Sequence, residues 1–240
     1  MTRQTPPRPA RPLFVLDYDG TLAPIVSDPA AAVPHAAVPG LLARLARVHP
    51  VVVVTGRDLA TLTRLLTGAD GRPVGVRAVG LHGAEWGTLG GASSPTGLDA
   101  HAADLGRMRA TVPVSEGVVV EEKGAAFAVH YRLAPDPDAA RAALGRWASS
   151  TPAGLEPVWG KCVVELRARG VSKGTAVARL AAEHPDCTPV ALGDDVTDED
   201  AFLALGPDAV TIKVGPGPTA ARFRLPDVDA AVTYLDGFPS

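Results

Sequence analysis

Apolar residues along this chain occur in short consecutive runs, and amphipathic segments separate the runs. The runs lie at residues 13–16, 51–54, 76–81, 188–193 and 208–214. Consecutive apolar residues are typical of strands buried on both faces of a parallel sheet, and the segments between them have helical spacing. The pattern predicts a doubly wound α/β core, Rossmann-like, whose functional site lies at the carboxyl ends of the parallel strands.

The pattern changes in the middle of the chain. A helical segment followed by two strand-like segments occurs twice, first over residues 98–132 and then over 138–167. This order predicts a smaller α+β insert with an antiparallel sheet. We expect a core formed by residues 13–96 and 170–240, a capping insert at 97–169, and a flexible tail at 1–12, with hinges near Gly97 and Gly170.

Composition excludes several classes of function. The chain has 240 residues, is 46% hydrophobic and carries a net charge of −3 with scattered basic residues, so we expect neither a nucleic-acid nor a membrane partner. The N-terminus lacks the apolar segment of a secretory signal. Cys162 and Cys187 lack metal-ligand spacing and are too few for a disulfide framework, which predicts a cytoplasmic protein, and we expect a monomer.

Two carboxylates follow the first predicted strand. Asp17 and Asp19 lie on one side of the chain by strand alternation, and Gly20 permits a close turn around an anion. One carboxylate can attack phosphorus while the other gives the leaving oxygen its proton. The simple alternative is an Asp-Gly turn without chemistry.

Three further features follow core strands or begin helices. Thr55, Gly56 and Arg57 come after the second strand and suit phosphate oxygens at a helix N-terminus, and Lys173 begins a later helix where it could neutralise a phosphoryl group. Five acids lie within residues 194–200, and a hard cation would relieve their repulsion. A surface lysine and acids that favour a helix dipole are the alternatives, although the dipole does not explain Asp194 and Asp195.

Taken together, these motifs resemble the haloacid dehalogenase (HAD) superfamily of aspartate-nucleophile hydrolases. The amino-acid sequences of these motifs are similar to those of the trehalose-6-phosphate phosphatase family. The similarity extends from about Leu13 to Phe238 and includes the insert. The matching segments are Leu16–Leu22, Gly80–Glu85, Val120–Lys123, His130–Arg132, Val164–Arg167 and Leu192–Phe202. Thr55 stands where many relatives carry serine, and no proline follows Arg167.

The resemblance implies a Mg²⁺-dependent phosphomonoesterase that acts on trehalose 6-phosphate through an aspartyl-phosphate. Asp17 would be the nucleophile, Asp19 the general acid and base, and Lys173 a catalytic cation. The implied metal set is Asp17, Asp19, Asp194 and Asp195, with Asp198 in a supporting position, and the implied phosphate set is Gly20, Thr55, Gly56 and Arg57.

The resemblance makes the insert a substrate-specificity domain. The residues expected to bind the sugar are His82, Gly83, Glu85, Glu121, Lys123, Arg132 and Glu165. The alternative is ordinary cross-strand ion pairs in the insert. Packing is favoured for His130, and the roles of Trp86, Trp159 and Lys161 stay open.

Lysine is scarce, because only four of the 23 basic residues are lysine: Lys123, Lys161, Lys173 and Lys213. Lys213 matches no motif, so we expect an ordinary strand-end lysine that tolerates arginine. Three other functions remain open at this point: a phosphatase for another sugar phosphate, a phosphomutase, and a non-catalytic sugar-phosphate sensor.

Overall fold

The computed structural model describes residues 5–26, 31–68, 70–95, 98–122 and 126–239, and it divides into two compact units. We call Met1–Ser94 with Ser172–Ser240 the core unit, and Pro95–Val171 the inserted unit. The sequence prediction places these two boundaries at 96/97 and 169/170. Gly97, one of the two predicted hinges, lies outside the described residues.

The described residues of the two units together contain twelve strands and seven α-helices. The strands are, in chain order, β1 (Pro12–Leu16), β2 (Val51–Val54), β3 (Arg77–Gly80), β4 (Glu85–Thr88), β5 (Ser93–Pro95), β6 (Val119–Glu122), β7 (Ala126–His130), β8 (Leu155–Gly160), β9 (Val163–Ala168), β10 (Thr188–Gly193), β11 (Val210–Val214) and β12 (Phe223–Leu225). The helices are α1 (Val38–Leu45), α2 (Leu59–Leu65), α3 (Leu98–Ala110), α4 (Pro137–Ala148), α5 (Lys173–Glu183), α6 (Val196–Ala204) and α7 (Val228–Asp236).

The described part of the core unit forms an eight-stranded sheet with the order β12-β11-β10-β1-β2-β3-β4-β5. Neighbouring strands from β12 to β3 are parallel, whereas β4 is antiparallel to β3. The predicted α/β fold with a parallel sheet is confirmed. Sequence analysis did not predict β4, β5 and β12, because these edge strands are short and lack consecutive apolar residues.

Helices cover both faces of this sheet, which explains the consecutive apolar residues of its strands. Phe14 and Leu16 of β1 pack with α1, α2 and α7 on one face. Leu13 and Val15 pack with α5 and α6 on the other. Alternate residues of each central strand are therefore buried in different layers.

Strand register brings the candidate chemistry to one edge of the sheet. Leu16 of β1 lies beside Leu192 of β10, and it also lies beside Val53 of β2. Asp17, Thr55 and Asp194 directly follow these three strands. Their backbones therefore leave the sheet at the same carboxyl edge.

Side-chain caps fix where the helices of this edge begin. Ser172 caps α5 through a reciprocal capping box with Thr175, which confirms the predicted cap. Helix α6 begins at Val196, not near Glu199 as predicted. The carboxylate of Asp195 accepts the backbone N–H groups of the first turn and starts the helix earlier.

The N-terminal segment makes contacts with α7 where the structure describes it, and the flexibility predicted for residues 1–12 stays a prediction. The guanidinium of Arg8 lies over the rings of Tyr234 and Phe238 and donates to the Tyr234 carbonyl. The Tyr234 hydroxyl donates to the Pro7 carbonyl. Aromatic and hydrogen-bonding contacts with α7 therefore hold a segment that has a loop-like sequence.

The inserted unit has an antiparallel sheet with the order β6-β7-β9-β8. Helices α3 and α4 pack on the face that carries Phe127 and Leu166. Cross-strand register places Glu121, Ala128 and Glu165 in one row on the opposite face. This unit is α+β, as the sequence predicts.

Throughout the described ranges, no helix combines the length and apolar character that crossing a bilayer would require.

Candidate active site

Lys173 lies between two carboxylates at the centre of the site. Its Nζ donates to Oδ1 of Asp17 at 2.7 Å and to Oδ1 of Asp198 at 2.8 Å. All three side chains are at least 95% buried. The lysine is the first residue of α5, so the Ser172 cap helps to aim the ammonium group. Sequence analysis predicted this position for Lys173 but did not predict its contact with Asp198.

Asp198 also organises the loop after β10. Its Oδ2 accepts the backbone N–H of Asp194 at 3.0 Å and that of Asp195 at 3.1 Å. The carboxylate of Asp195 caps α6 and lies 4.0 Å from Nζ of Lys173. One side chain, Asp198, therefore links the acidic loop to the lysine.

Among the described residues, Asp17, Asp194 and Asp198 form a group that could hold a metal ion. Each offers an oxygen atom, and these atoms lie within 4.8 Å of one another. Gly20 is required beside them, because it has a φ of +72° and a Cβ there would collide with the carboxylate of Asp194. The structure thus adds Asp198 to this group, whereas the Asp195 carboxylate is used as a helix cap.

The electrostatics of this group suit a divalent cation. Burial raises the pKa of Asp17 and of Asp198 although Lys173 lowers both, and burial raises the pKa of Asp194 to about 6. Burial alone would lower the pKa of Lys173, but Asp17 and Asp198 raise it overall. The three crowded carboxylates together carry more negative charge than one ammonium group can balance. A hard cation that takes oxygen ligands would balance the remaining negative charge.

Asp19 is bound to Arg57. Nε and Nη2 of Arg57 donate to the two carboxylate oxygens of Asp19, each at 2.7 Å. This bidentate pair also raises the pKa of Arg57. In the structure, Arg57 therefore contacts the predicted general acid, and its role in phosphate binding stays a prediction.

The predicted phosphate loop is tightly packed. Thr55 is fully buried, and its hydroxyl accepts the Arg57 backbone N–H at 3.2 Å. Nε2 of His82 lies 2.6 Å from the position that a Cβ on Gly56 would take. The ring of His82 thus lies directly over Gly56, next to the predicted phosphate-binding residues. The Gly20 N–H donates to the Ala23 carbonyl.

The segment after β3 has structural contacts of its own. Glu85 accepts the backbone N–H of Leu59, the first residue of α2, at 2.8 Å. The Gly83 carbonyl accepts the indole N–H of Trp86. The guanidinium groups of Arg77 and Arg179 both lie over the Trp86 ring, at 5.3 and 4.4 Å from its centroid. These contacts give Trp86 a structural role, and sugar binding by His82, Gly83 and Glu85 stays a prediction.

The inserted unit shows one unexpected pair. Nε2 of His130 lies 2.8 Å from Oε2 of Glu121, and both side chains are about half exposed. The ring of His130 is thus paired with a carboxylate, and its favoured packing role stays a prediction. Arg132 donates to the Lys161 carbonyl at 3.5 Å.

The other candidate residues of the inserted unit include Glu165, Trp159 and Lys123. Glu165 lies in the same sheet row as Glu121. Trp159 is partly exposed under the guanidinium of Arg141, and Lys123 lies outside the described residues. Sugar binding by Glu121, Lys123, Arg132 and Glu165 stays a prediction.

Lys213 is the residue that sequence analysis misjudged most. It is buried, not at a surface strand end, and it donates to the backbone carbonyl of Asp194. Scarcity of lysine was the one signal that could have drawn attention to it. Asp198 lies three residues after the Asp195 cap, which is the spacing of a capping box, and this signal could have placed its carboxylate beside the acidic loop.

Comparisons with known proteins find one family for this chain. The trehalose-phosphatase family model matches residues 15–229. Trehalose-6-phosphate phosphatase of Escherichia coli (strain K12) is 34% identical over 97% of this chain and 88% of that protein. Trehalose-phosphate phosphatase of Mycobacterium marinum is 37% identical over 90% of this chain, which spans 58% of that relative's length.

A solved structure gives the same result for the fold. The structure of Aspergillus fumigatus trehalose-6-phosphate phosphatase superposes with a TM-score of 0.74 at 26% identity. The match covers 95% of this chain and 92% of that one. The family resemblance drawn from the motifs is therefore confirmed.

Proposed function

Because the chain belongs to the trehalose-phosphatase family, we propose that it hydrolyses trehalose 6-phosphate to trehalose and inorganic phosphate. The buried contact of Lys173 with Asp17 is the observation that carries this proposal. A phosphatase nucleophile needs a charge partner that stabilises the phosphoryl group as it transfers. A binding protein would not need a buried carboxylate held in this way.

In the first half-reaction, a carboxylate oxygen of Asp17 attacks phosphorus. The bond between phosphorus and the sugar oxygen breaks, and Asp19 gives that oxygen a proton, so trehalose leaves and an aspartyl-phosphate remains. Lys173 stabilises the negative charge on Asp17 and on the transferring group. Asp19 must leave its paired state with Arg57 before it can donate a proton.

In the second half-reaction, water attacks the same phosphorus atom. Asp19 accepts the proton of this water, the bond between phosphorus and Asp17 breaks, and inorganic phosphate leaves. Arg57 orients the Asp19 carboxylate through two hydrogen bonds. The N–H groups near Thr55 and Gly56 are proposed to hold phosphate oxygens.

We propose Mg²⁺ as the metal, because this ion prefers carboxylate oxygens and retains water ligands. Asp17, Asp194 and Asp198 would hold it, together with the backbone carbonyl of Asp19. When bound, it would offset the charge of the phosphoryl group. Asp195 would act indirectly, by capping the helix that carries Asp198.

The inserted unit is proposed to confer sugar specificity. Trehalose offers many hydroxyl groups, and charged side chains on one sheet face can make directed hydrogen bonds to them. Glu121 and Glu165 occupy one row of that face, and His130 orients Glu121. A cytoplasmic location and a monomeric state also stay predictions.

The decisive experiment measures phosphate release by the purified chain from a panel of sugar phosphates with Mg²⁺. We expect trehalose 6-phosphate to be preferred, and Asp17→Asn to lose about 10³-fold or more of the activity. Glu165→Ala should lose activity on trehalose 6-phosphate but retain activity on a small aryl phosphate. Preference for another sugar phosphate would contradict the substrate assignment.

The same assay distinguishes a phosphatase from a phosphomutase and from a non-catalytic sugar-phosphate sensor. A phosphomutase would return the phosphoryl group to a sugar instead of releasing phosphate in a single turnover. A sensor would bind trehalose 6-phosphate without turnover. Release of phosphate at the rate of sugar formation contradicts both.

A further inference from the structure

Lys213 is a buried lysine directly behind the acidic loop of the site. On β11 it is the register partner of Gly193, which precedes Asp194. Its side chain is only 6% exposed. A buried ammonium group is costly unless acceptors surround it, so its partners indicate why it is there.

The first partner of Lys213 is the peptide group of Asp194. Nζ of Lys213 donates to the Asp194 backbone carbonyl. The Asp194 N–H is held by Asp198 at 3.0 Å. Both the N–H and the carbonyl of Asp194 are therefore fixed by side chains, which limits how its carboxylate can move.

The second partner is Glu199 of α6. Oε1 of Glu199 lies 3.8 Å from Nζ of Lys213. Oε2 of Glu199 accepts the Ala220 N–H at 2.7 Å and the Thr219 hydroxyl at 3.2 Å. The loop after β11 therefore holds Glu199, and Glu199 faces the ammonium group that holds Asp194.

We propose that Lys213 is a positioning residue for the metal site: it fixes the backbone of Asp194 so that the Asp194 carboxylate meets those of Asp17 and Asp198 around one cation. Glu199 keeps the lysine in place. This inference deepens the proposed function and rests on it for the role of Asp194 as a metal ligand. Removal of a group that hydrogen-bonds to a metal ligand and orients it typically lowers the metal affinity by about 10- to 100-fold.

The test measures metal binding directly on the full chain after treatment with a chelator. Lys213→Met keeps most of the side-chain volume and removes the charge and the donor. We expect its dissociation constant for Mn²⁺, measured from free Mn²⁺ by electron paramagnetic resonance, to rise about 10- to 100-fold. Unchanged Mn²⁺ affinity in folded Lys213→Met would overturn the proposal.

Thr211→Val is the matched control. Thr211 lies two residues earlier on the same strand, is also buried, and accepts the Arg222 N–H instead of contacting the acidic loop. Its loss should lower stability without changing Mn²⁺ affinity. An equal loss of affinity in Thr211→Val would show that any defect in β11 disturbs the site, and this result would overturn a specific role for Lys213.

A second variant protects the test if Lys213→Met does not fold. Glu199→Gln keeps the shape of the side chain and removes the charge that faces Lys213. We expect a smaller rise in the Mn²⁺ dissociation constant, and no rise would then overturn the proposal.

Catalysis gives an independent readout. Saturating Mg²⁺ should return most of the phosphate release that Lys213→Met loses at low Mg²⁺, because the variant weakens binding of the ion and not the reaction. If the unmodified chain releases no phosphate from any substrate, the proposed function fails, whereas the Mn²⁺ comparison still decides the role of Lys213.

Discussion

Both carboxylate oxygens of Asp19 accept hydrogen bonds from the guanidinium of Arg57, each at 2.7 Å. Because Arg57 occupies both oxygens, neither of them is free to meet the leaving oxygen of the sugar or the attacking water. At least one of these hydrogen bonds must open before Asp19 can contact the reacting groups.

This relationship predicts that Arg57→Met affects the two half-reactions differently. A positioned general acid or base raises the reaction rate by about 10²- to 10⁴-fold. Arg57 orients Asp19, so its loss should lower the steady-state rate of sugar-phosphate hydrolysis by part of this factor, about 10-fold. The rapid first release of nitrophenolate from p-nitrophenyl phosphate should be unchanged, since that leaving group needs no proton.

The control for Arg57→Met is Arg64→Met. Arg64 is an exposed residue of α2 whose guanidinium donates to the Thr61 hydroxyl. We expect this variant to retain the full steady-state rate. A slower nitrophenolate burst in Arg57→Met would instead assign Arg57 to phosphate binding.

Lys173→Arg should be severely damaging although it keeps the charge. The ammonium is a compact group that reaches Asp17 and Asp198 within 2.8 Å in a site where it is 3% exposed, and a planar guanidinium needs more space. We expect phosphate release to fall about 10²- to 10³-fold. Arg179→Lys, an exchange at an exposed position of the same helix, should leave the rate unchanged. Comparable rates for both variants would contradict this assignment.

Stability of the metal-free protein should depend on pH through its crowded carboxylates. Burial raises the pKa of Asp194 to about 6 from 3.8. A raised carboxylate pKa contributes stability that is fully present below pH 3.8 and lost as the pH rises through about 6. Burial also raises the pKa of Asp17, which acts in the same direction. Asp195 does not contribute in this window, because Lys173 and its cap contacts outweigh burial and lower its pKa to about 2.

Thermal unfolding with and without Mg²⁺ checks this prediction. The midpoint of the metal-free chain should fall between pH 5 and pH 7, and Mg²⁺ should raise it more at pH 8 than at pH 5.5, because protons then no longer compete for the ligands. Asp194→Asn should reduce both effects. A Mg²⁺ shift that is equal at the two pH values would contradict the carboxylate site.

Trp86 is expected to stabilise the core unit and not to bind substrate. Its ring contacts the guanidinium groups of Arg77 and Arg179, and both arginines bind Glu183. Trp86→Ala should lower the free energy of unfolding by about 2 kcal/mol, below the range for fully buried tryptophan. Chemical denaturation measures this loss, and the KM for the sugar phosphate should be unchanged. Trp159→Ala, at a more exposed indole, should cost less stability.

The sequence by itself determined the parallel core and the location of its chemistry. Strands β1, β2 and β10 are apolar at consecutive positions because helices bury both of their faces, and this local pattern is visible without coordinates. Asp17, Thr55 and Asp194 follow these strands directly. Parallel strands end at a common edge, so strand prediction alone was enough to bring these residues together. The cap at Ser172 was likewise a local signal.

Only the tertiary structure decided which charged groups meet. Asp198 and Asp195 are equally acidic in the sequence, but Asp198 accepts from the Lys173 ammonium at 2.8 Å, whereas Asp195 lies 4.0 Å from it and caps α6. Lys213 looked like a strand-end residue, but it is buried beside the Asp194 carbonyl and Glu199. Pairings of this kind join residues far apart in the chain, and their energies depend on burial and distance, which no local pattern encodes.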